Sequence, residues 1–242
     1  MIFVTRPSPE GEKLTELLNK IDRPAQHLPF FKISQGRDIL QLQHHLNQLL
    51  PNDIVIVVSP QVTHVINHYI TNLTMPKNIS YFAIGKKSAQ LFKQFTEVEV
   101  NYPDREDSEG LLSLLQQQSV KQRNILILCG NSGRPLLSQT LMNRQAKVKL
   151  IECYTRIPII YQPDILSEHI SQQLIIITSI EHLNQLESYS SDEHKKQSCL
   201  LVTSQRIFTK AKELTWQNVL LVKSADNQTI FNAVKQHFPA SL

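Results

Sequence analysis

The hydrophobic positions of this 242-residue chain form two kinds of segment that alternate along it. Short runs of apolar residues, such as Ile54–Val58, Ile125–Leu128 and Leu174–Thr178, are typical of strands buried on both faces. Between such runs, apolar residues recur at helical spacing, as they do along one face of Asp38–Leu50. Strands alternating with helices predict an α/β fold with parallel sheets that helices cover on both sides.

Two further segments have a less regular pattern. His27–Ile33 is largely apolar and predicts one strand, which the sequence Ser34-Gln35-Gly36 ends. Tyr189–Gln197 is polar and predicts a mobile loop.

The alternating elements also contain an internal repeat. Ser59 and Ser179 each end a buried strand and lie 120 residues apart. Gly85 and Ser204, which follow the next strand of each set, are 119 residues apart, and so are Asp107 and Asp226. A duplicated βα module predicts two similar domains. In open α/β sheets, ligands bind beyond the carboxyl ends of the strands, so these strand ends are the candidate binding positions.

The stretch Ile125–Leu137 is the strongest candidate for binding chemistry. A buried strand runs into a glycine-containing turn, and Pro135 then begins a helix, where its missing N–H costs nothing. Backbone N–H groups and the helix dipole make such a junction suitable for an anion, and Arg134 adds a planar cation. The alternative is that the junction only connects two elements.

Composition narrows the function classes. The net charge of +4 is mild and there is no Lys/Arg run, so a nucleic-acid partner is not expected. No secretory signal and no apolar run of about 20 residues is present, which predicts a cytoplasmic protein without a membrane partner. Cys129, Cys153 and Cys199 stand singly near apolar strands and are expected to be reduced thiols.

No familiar catalytic set is present. The turn after Ile125–Leu128 lacks the Lys-Ser/Thr of a phosphate loop, and His64 and His68 have no third metal ligand in view, so ordinary helix histidines are favoured. Tyr154 ends a strand before a proline-rich crossover. It is either a packing residue or a proton donor, because a tyrosine phenol stays protonated at neutral pH.

Taken together and in order, several short motifs resemble the uroporphyrinogen-III synthase family in its bacterial form. The resemblance extends from the first strand to the last helix. The motifs are Thr5-Arg6-Pro7, Gly85 with Ser88-Ala89, Tyr102-Pro103, Ser108-Glu109-Gly110-Leu111-Leu112, Leu126 to Arg134, Tyr154 with Arg156, and Thr178-Ser179.

The resemblance implies two flavodoxin-like domains with parallel sheets and a discontinuous boundary. Residues 1–33 with 159–242 would form one domain and residues 36–153 the other. Linker strands at 31–35 and 154–158 would join the domains, with the active-site cleft between them.

The implied substrate is hydroxymethylbilane, a linear tetrapyrrole with eight carboxylates. Loss of its hydroxymethyl oxygen gives an azafulvene cation, which ring D attacks to form a spiro intermediate. Fragmentation and reclosure then give uroporphyrinogen III with ring D inverted, in tetrapyrrole and haem biosynthesis. The spontaneous reaction gives the wrong isomer, so the protein's main task is to control the substrate's conformation. No metal or organic cofactor is implied.

Tyr154 matches the family position that assists hydroxide departure. The predicted substrate-binding residues are strand-end donors and nearby cations. They are Thr5, Arg6, Ser59, Gly85, Lys86, Ser88, Gly130, Asn131, Ser132, Gly133, Arg134, Arg156, Thr178, Ser179, Ser204 and Arg206.

The resemblance further implies a monomer that receives its substrate from the preceding pathway enzyme. Two non-catalytic hypotheses stay open beside the enzyme. One is a two-domain ligand-binding sensor. The other is a tetrapyrrole-binding paralogue, which would be expected to have lost Tyr154.

Overall fold

The computed structural model describes residues 1–131 and 135–238. No helix among these residues is long and apolar enough to cross a membrane. The strands are β1 (Ile2–Val4), β2 (Ala25–His27), β3 (Phe31–Gln35), β4 (Ile54–Val57), β5 (Ser80–Ala83), β6 (Val100–Asn101), β7 (Asn124–Gly130), β8 (Lys147–Pro158), β9 (Leu174–Ile177), β10 (Cys199–Val202) and β11 (Asn218–Leu221). The α-helices are α1 (Glu10–Asn19), α2 (Leu42–Asn47), α3 (Pro60–Tyr69), α4 (Lys86–Thr96), α5 (Ser108–Leu114), α6 (Pro135–Asn143), α7 (Ile180–Glu187), α8 (Asp192–Gln197), α9 (Gln205–Glu213) and α10 (Asn227–His237).

The chain divides into two compact units. Unit 1 comprises Met1–Lys32 and Ile157–Leu242, and unit 2 comprises Ile33–Arg156. The chain therefore passes between the units twice, once within β3 and once within β8. These two strands are neighbours in one sheet. The predicted cleft between the domains stays a prediction.

Each unit contains a sheet with the same strand arrangement. The sheet of unit 1 has the order β2-β1-β9-β10-β11, which is the 2-1-3-4-5 order of flavodoxin-like folds. The other sheet runs β3-β8-β7-β4-β5-β6. Without β3 it has the same order when numbering begins at β7, so the chain of unit 2 is permuted. Neighbouring strands within each five-strand set are parallel, and the predicted α/β class is confirmed.

The core lies on both faces of each sheet. All four residues of β4 have no exposed surface; Val55 and Val57 pack on one face and Ile54 and Ile56 on the other. Burying each such side chain is worth about 1.5–3 kcal/mol. In a strand covered on both faces, the side chains on either face contact apolar neighbours. Polar residues therefore do not alternate with apolar ones, which accounts for the uninterrupted apolar runs.

The internal repeat has a structural counterpart in the helix caps. The hydroxyls of Ser59 and Ser179 cap α3 and α7, where they accept hydrogen bonds from backbone N–H groups. The carboxylates of Asp107 and Asp226 cap α5 and α10 in the same way. Capping side chains satisfy backbone donors that a helix leaves unpaired, so the repeated residues begin corresponding helices in the two units.

The prediction of one strand over His27–Ile33 is wrong. The structure contains β2 and β3 in different sheets, with Leu28-Pro29-Phe30 between them. Leu28 and Phe30 are buried in the core of unit 1, which explains the apolar pattern. Pro29 has no N–H for a strand ladder, and it separates the two strands.

The prediction of a loop over Tyr189–Gln197 is also wrong, because α8 lies within it. The hydroxyl of Ser191 accepts a hydrogen bond from the backbone N–H of His194, and the N–H of Ser191 donates to His194 Nδ1 at 3.1 Å. This reciprocal capping box begins the helix. The side chain of His194 is buried, and its Nε2 pairs with the carbonyl of Leu166 at 2.8 Å.

Candidate functional site

The strand order of unit 2 reverses between β4 and β7, which are adjacent parallel strands. Two predicted site residues lie at this switch point. Ser59 lies just beyond the end of β4 and Gly130 is the last residue of β7. In open parallel sheets, such a switch point is where a crevice for ligands forms at the carboxyl ends of the strands.

A β-bulge in β8 brings Tyr154 to this switch point. Cys129 is paired with Glu152, but the next residue of β7, Gly130, is paired with Tyr154, so Cys153 is an extra residue on β8. Cys153 and Tyr154 consequently pack in the same core cluster, although consecutive strand residues ordinarily point to opposite faces. The bulge thus redirects the tyrosine ring, a use of bulges that is common near functional sites.

Among the described residues, two side chains lie within hydrogen-bonding distance of the phenol of Tyr154. Its oxygen lies 3.2 Å from Ser59 Oγ, and Arg156 Nη2 donates a hydrogen bond to it at 3.2 Å. Because a guanidinium can only donate, the phenol oxygen is the acceptor in the second bond. Its own proton is then available to Ser59 or to a ligand that takes the place of Ser59. The tyrosine is 2% exposed, which screens this arrangement from bulk water.

Asn131 follows the last residue of β7 and bonds to the part of β8 that carries Tyr154. Its backbone N–H donates to the carbonyl of Tyr154 at 3.1 Å, and its side-chain Oδ1 accepts from the backbone N–H of Arg156 at 3.1 Å. In this structure, Asn131 therefore fixes the part of β8 that carries the phenol of Tyr154. The adjoining predicted residues Ser132, Gly133 and Arg134 lie outside the described residues.

The turn after β5 is an anion-binding position, and a carboxylate of the chain occupies it. Gly85 is the N-cap of α4, and the backbone N–H of Lys86 donates to Glu106 Oε2 at 2.9 Å. Ser88 is buried one turn further along, and the Lys86 side chain is exposed. Gly85, Lys86 and Ser88 were predicted from the sequence, whereas Glu106 was not, because no sequence spacing connects Glu106 with the turn.

In unit 1, Thr5 and Arg6 bond to other parts of the same unit. The hydroxyl of Thr5 is fully buried and donates to the carbonyl of Ile176 at 2.7 Å. Arg6 Nη1 donates to the carbonyl of Ala225 and to Asn227 Oδ1, both at 2.7 Å. Burial lowers the pKa of Arg6 from its ordinary value. In this structure, both side chains connect strand β1 to other elements of unit 1.

The hydroxyls at the other strand ends of unit 1 also cap helices. Ser179 Oγ accepts from the N–H of His182, and Ser204 Oγ accepts from the N–H of Ile207. Thr178 Oγ1 lies 3.2 Å from Nδ1 of His182, whose ring stacks on Phe31 with 5.6 Å between centroids.

Arg206 lies in the first turn of α9 and is exposed. His182 was not predicted as a site residue, although its position three residues after the strand-end Ser179 places it in the first turn of a helix. The carboxyl edge of the unit 1 sheet, where the helices begin, therefore carries the hydroxyls of Thr178, Ser179 and Ser204 together with His182 and Arg206.

The contribution of the helix cap Asp226 to the stability of unit 1 depends on pH. Burial alone would raise its pKa, but hydrogen bonds from Ser224 and Thr229 outweigh burial and lower the pKa to about 2. Since this is below the ordinary value of 3.8, ionised Asp226 stabilises the fold above about pH 4, and the contribution is lost as the pH falls toward 2.

We expect Asp226→Ala to lower the free energy of unfolding by about 1 kcal/mol at pH 7, the usual cost of losing an N-cap. The difference from the unaltered protein should shrink between pH 4 and pH 2.5, as measured by urea unfolding at several pH values. Asp104→Ala, at an exposed loop position, is the control. A difference that stays constant over this pH range would contradict the assignment to the carboxylate.

Within residues 1–131 and 135–238, no group of three His, Cys, Asp or Glu side chains is arranged to hold a metal ion. The arrangement at Tyr154 instead consists of a phenol, a serine hydroxyl and a guanidinium. These groups are suited to moving a proton and to stabilising a negative charge on oxygen.

Comparisons with known proteins agree on one family. The family model described as Uroporphyrinogen-III synthase HemD matches residues 12–232. The chain is 35% identical to the uroporphyrinogen-III synthase of Escherichia coli (strain K12), with 97% of this chain and 99% of that protein aligned. It is 34% identical to the protein of the same name from Salmonella typhimurium, with 97% and 99% aligned.

Solved structures agree on the fold. A mutant uroporphyrinogen III synthase from the extremely thermophilic bacterium Thermus thermophilus matches with a TM-score of 0.64, 14% identity, and 97% of this chain and 96% of that chain covered. The uroporphyrinogen-III synthetase of Helicobacter pylori 26695 matches with a TM-score of 0.61 and 14% identity, with 97% of each chain covered.

By its fold and its site, the chain is an α/β protein with two flavodoxin-like units and a tyrosine phenol at the switch point of one of them. The sequence matches extend over nearly the whole chain. The chain belongs to the uroporphyrinogen-III synthase family, a family of enzymes, and the family predicted from its motifs is confirmed.

Proposed function

We propose that this chain is a lyase of tetrapyrrole and haem biosynthesis that cyclises hydroxymethylbilane to uroporphyrinogen III with inversion of ring D. The observation that carries the proposal within the structure is the hydrogen-bonded phenol of Tyr154 at the switch point of unit 2. Membership in the family supplies the reaction, and the phenol supplies a group able to begin it.

In the proposed mechanism, Tyr154 donates its proton to the departing hydroxyl of the substrate. The carbon–oxygen bond breaks, water leaves, and an azafulvene cation and a phenolate remain. Arg156 stabilises the phenolate, because it already donates a hydrogen bond to that oxygen and a bond between two charged groups is stronger than one between neutral groups. Ring D attacks the cation through its substituted carbon, and the spiro intermediate fragments and recloses. The proton that the pyrrole loses at the end returns to the phenolate, so the reaction consumes no net acid.

The substrate's carboxylates need several donors at once. Backbone N–H groups and cations at the strand ends provide them, and an anion at a helix start is favoured by both the free N–H groups and the dipole. We propose that the members of the predicted set other than Thr5 and Arg6 bind carboxylates: Ser59, Gly85, Lys86, Ser88, Gly130, Asn131, Ser132, Gly133, Arg134, Arg156, Thr178, Ser179, Ser204 and Arg206. The side chains of Thr5 and Arg6 already donate hydrogen bonds within unit 1, so we propose a structural role for both.

We further propose that the protein acts in the cytoplasm as a monomer that receives its substrate from the preceding pathway enzyme. The support for a direct transfer is chemical. Hydroxymethylbilane closes spontaneously to the isomer without ring inversion, so any time that it spends free in solution loses substrate.

The deciding experiment is to incubate the purified protein with freshly made hydroxymethylbilane, oxidise the products, and separate isomers I and III by chromatography. We expect isomer III to predominate. Isomer I alone, formed at the spontaneous rate, would overturn the enzyme assignment. If that result came with tight binding of the substrate, it would favour a ligand-binding sensor or a tetrapyrrole-binding paralogue.

A further inference from the structure

The turn that follows β3 bonds to the part of β8 that contains the bulge. The backbone N–H of Gly36 donates to the carbonyl of Cys153 at 3.0 Å, and that of Asp38 donates to the carbonyl of Glu152 at 3.1 Å. In return, the backbone N–H of Glu152 donates to the side-chain Oδ2 of Asp38 at 2.9 Å. Three hydrogen bonds therefore fix the two residues that immediately precede Tyr154.

The same turn lies so close to β8 that it leaves no space for a side chain at position 36. A Cβ atom on Gly36 would lie 2.2 Å from the carbonyl oxygen of Glu152 and 2.6 Å from the backbone nitrogen of Tyr154. All of these contacts are with backbone atoms, so no rotamer change relieves them. Glycine at this position allows the turn to contact the strand directly.

Charged side chains hold the turn in place. Arg37 Nε lies 3.5 Å from Asp38 Oδ2 and 3.5 Å from Glu152 Oε2, between the two carboxylates. Glu152 Oε1 also accepts a hydrogen bond from Thr155 Oγ1 at 2.7 Å. The side chains of Asp38 and Glu152 are 26% and 15% exposed, and Arg37 is 76% exposed. The bond from Glu152 N–H to Asp38 is thus partly shielded from water, where a charge-assisted hydrogen bond is stronger.

We infer that Gly36 and Asp38 are positioning residues for Tyr154, which hold the bulge of β8 in the shape that places the phenol beside Ser59. The reason is geometric. The bulge decides which face of the sheet Tyr154 occupies, and a bulge interrupts the regular ladder that would otherwise fix the strand. The turn replaces the missing constraint from the other side of the strand. A displacement of about 1 Å in a reacting group can cost about a hundredfold in rate.

This inference rests on the proposed function, since it assumes that Tyr154 takes part in the reaction. The test is a double-mutant cycle on the conversion of hydroxymethylbilane to isomer III. It uses Asp38→Ala, Asp38→Asn, Tyr154→Phe and the double variant Asp38→Ala/Tyr154→Phe, with kcat and KM measured for each.

We expect Asp38→Ala to lower kcat at least about tenfold, with KM within about twofold, because binding groups stay in place while the phenol moves. Asp38→Asn keeps an acceptor oxygen for the N–H of Glu152 and should restore most of the kcat. In the Tyr154→Phe background, Asp38→Ala should cause no further loss of kcat. Gly36→Ala provides a second route to the same displacement and should behave like Asp38→Ala.

Three results would overturn the inference. They are an unchanged kcat for folded Asp38→Ala or Gly36→Ala, a loss that persists undiminished in the Tyr154→Phe background, and a failure of Asp38→Asn to restore activity. Failure of the proposed function gives a different pattern, because the unaltered protein would then form only isomer I or Tyr154→Phe would leave kcat unchanged. Thermal unfolding of every variant by circular dichroism confirms that folded proteins are being compared.

Discussion

Tyr154→Phe is expected to lower kcat for the formation of isomer III by about ten- to a hundredfold, without abolishing it. Loss of a general acid usually costs about a hundredfold or more. Here the hydroxyl departs readily from a carbon that forms a stabilised cation, so we expect a smaller loss. Slower enzymatic closure should also raise the proportion of isomer I, because the spontaneous reaction then competes. Steady-state kinetics combined with separation of the two isomers measure both effects.

The fold should tolerate this substitution. The phenylalanine ring fills the same buried space, and the loss of the hydrogen bonds to Ser59 and Arg156 should cost about 1 kcal/mol of unfolding free energy. Tyr69→Phe, at a tyrosine that is 42% exposed, is the matched control and should leave kcat unaltered. An unchanged kcat for Tyr154→Phe would refute the proton-donor role and leave Tyr154 as the packing residue that its burial also allows.

The sequence predicted the fold class because burial on both sides leaves a clear pattern. Runs such as Ile54–Val58 contain no polar positions, and the structure buries them. The repeat was also detectable, because helix caps need particular side chains and therefore recur in sequence, as Ser59 and Ser179 do. The pattern gives a wrong prediction where apolar residues are buried outside a strand. Leu28 and Phe30 are as buried as any strand residue, yet they lie in the connection between β2 and β3.

The helix α8 shows a second limit of sequence reasoning. Its six residues are polar, so hydrophobic periodicity has nothing to detect. The helix depends on Ser191 and on His194, which takes the place that Glu or Gln ordinarily has in a capping box. A histidine whose ring is buried against the carbonyl of Leu166 is a tertiary feature, and local sequence does not reveal it.

For the site, the rule that ligands bind at strand ends predicted the residues but not their relationships. It identified Ser59 and Gly130, while Tyr154 was assigned through the family resemblance, and the contact between them depends on a bulge that no composition signal marks. Arg6 was predicted from its charge and its position after β1. Its partners, Ala225 and Asn227, lie 219 and 221 residues away in sequence, so only the folded structure shows that its guanidinium already has partners within unit 1.

Gly130→Ala is expected to displace the ring of Tyr154 and to lower both stability and activity. A Cβ at this position would lie 2.5 Å from Cε2, 2.6 Å from Cζ and 3.0 Å from the oxygen of Tyr154. The ring is enclosed in the core and cannot turn aside freely, so overpacking should cost about 1–3 kcal/mol of unfolding free energy. The phenol should also leave its place beside Ser59, with a loss of kcat of about a hundredfold. Urea unfolding and the isomer III assay measure the two losses.

Two further variants separate the ring contact from a general intolerance of alanine in these turns. Gly85→Ala places a Cβ 2.3 Å from Glu106 Oε2, the tip of an exposed side chain that can move away, so its free energy of unfolding should change little. In a Tyr154→Ala background, where the ring is gone, Gly130→Ala should cost less than about 0.5 kcal/mol, since the interaction between the two positions is then removed. If Gly130→Ala cost as much unfolding free energy in that background as in the unaltered protein, the backbone at position 130 would itself require glycine. The ring of Tyr154 would then not be the reason for the glycine at this position.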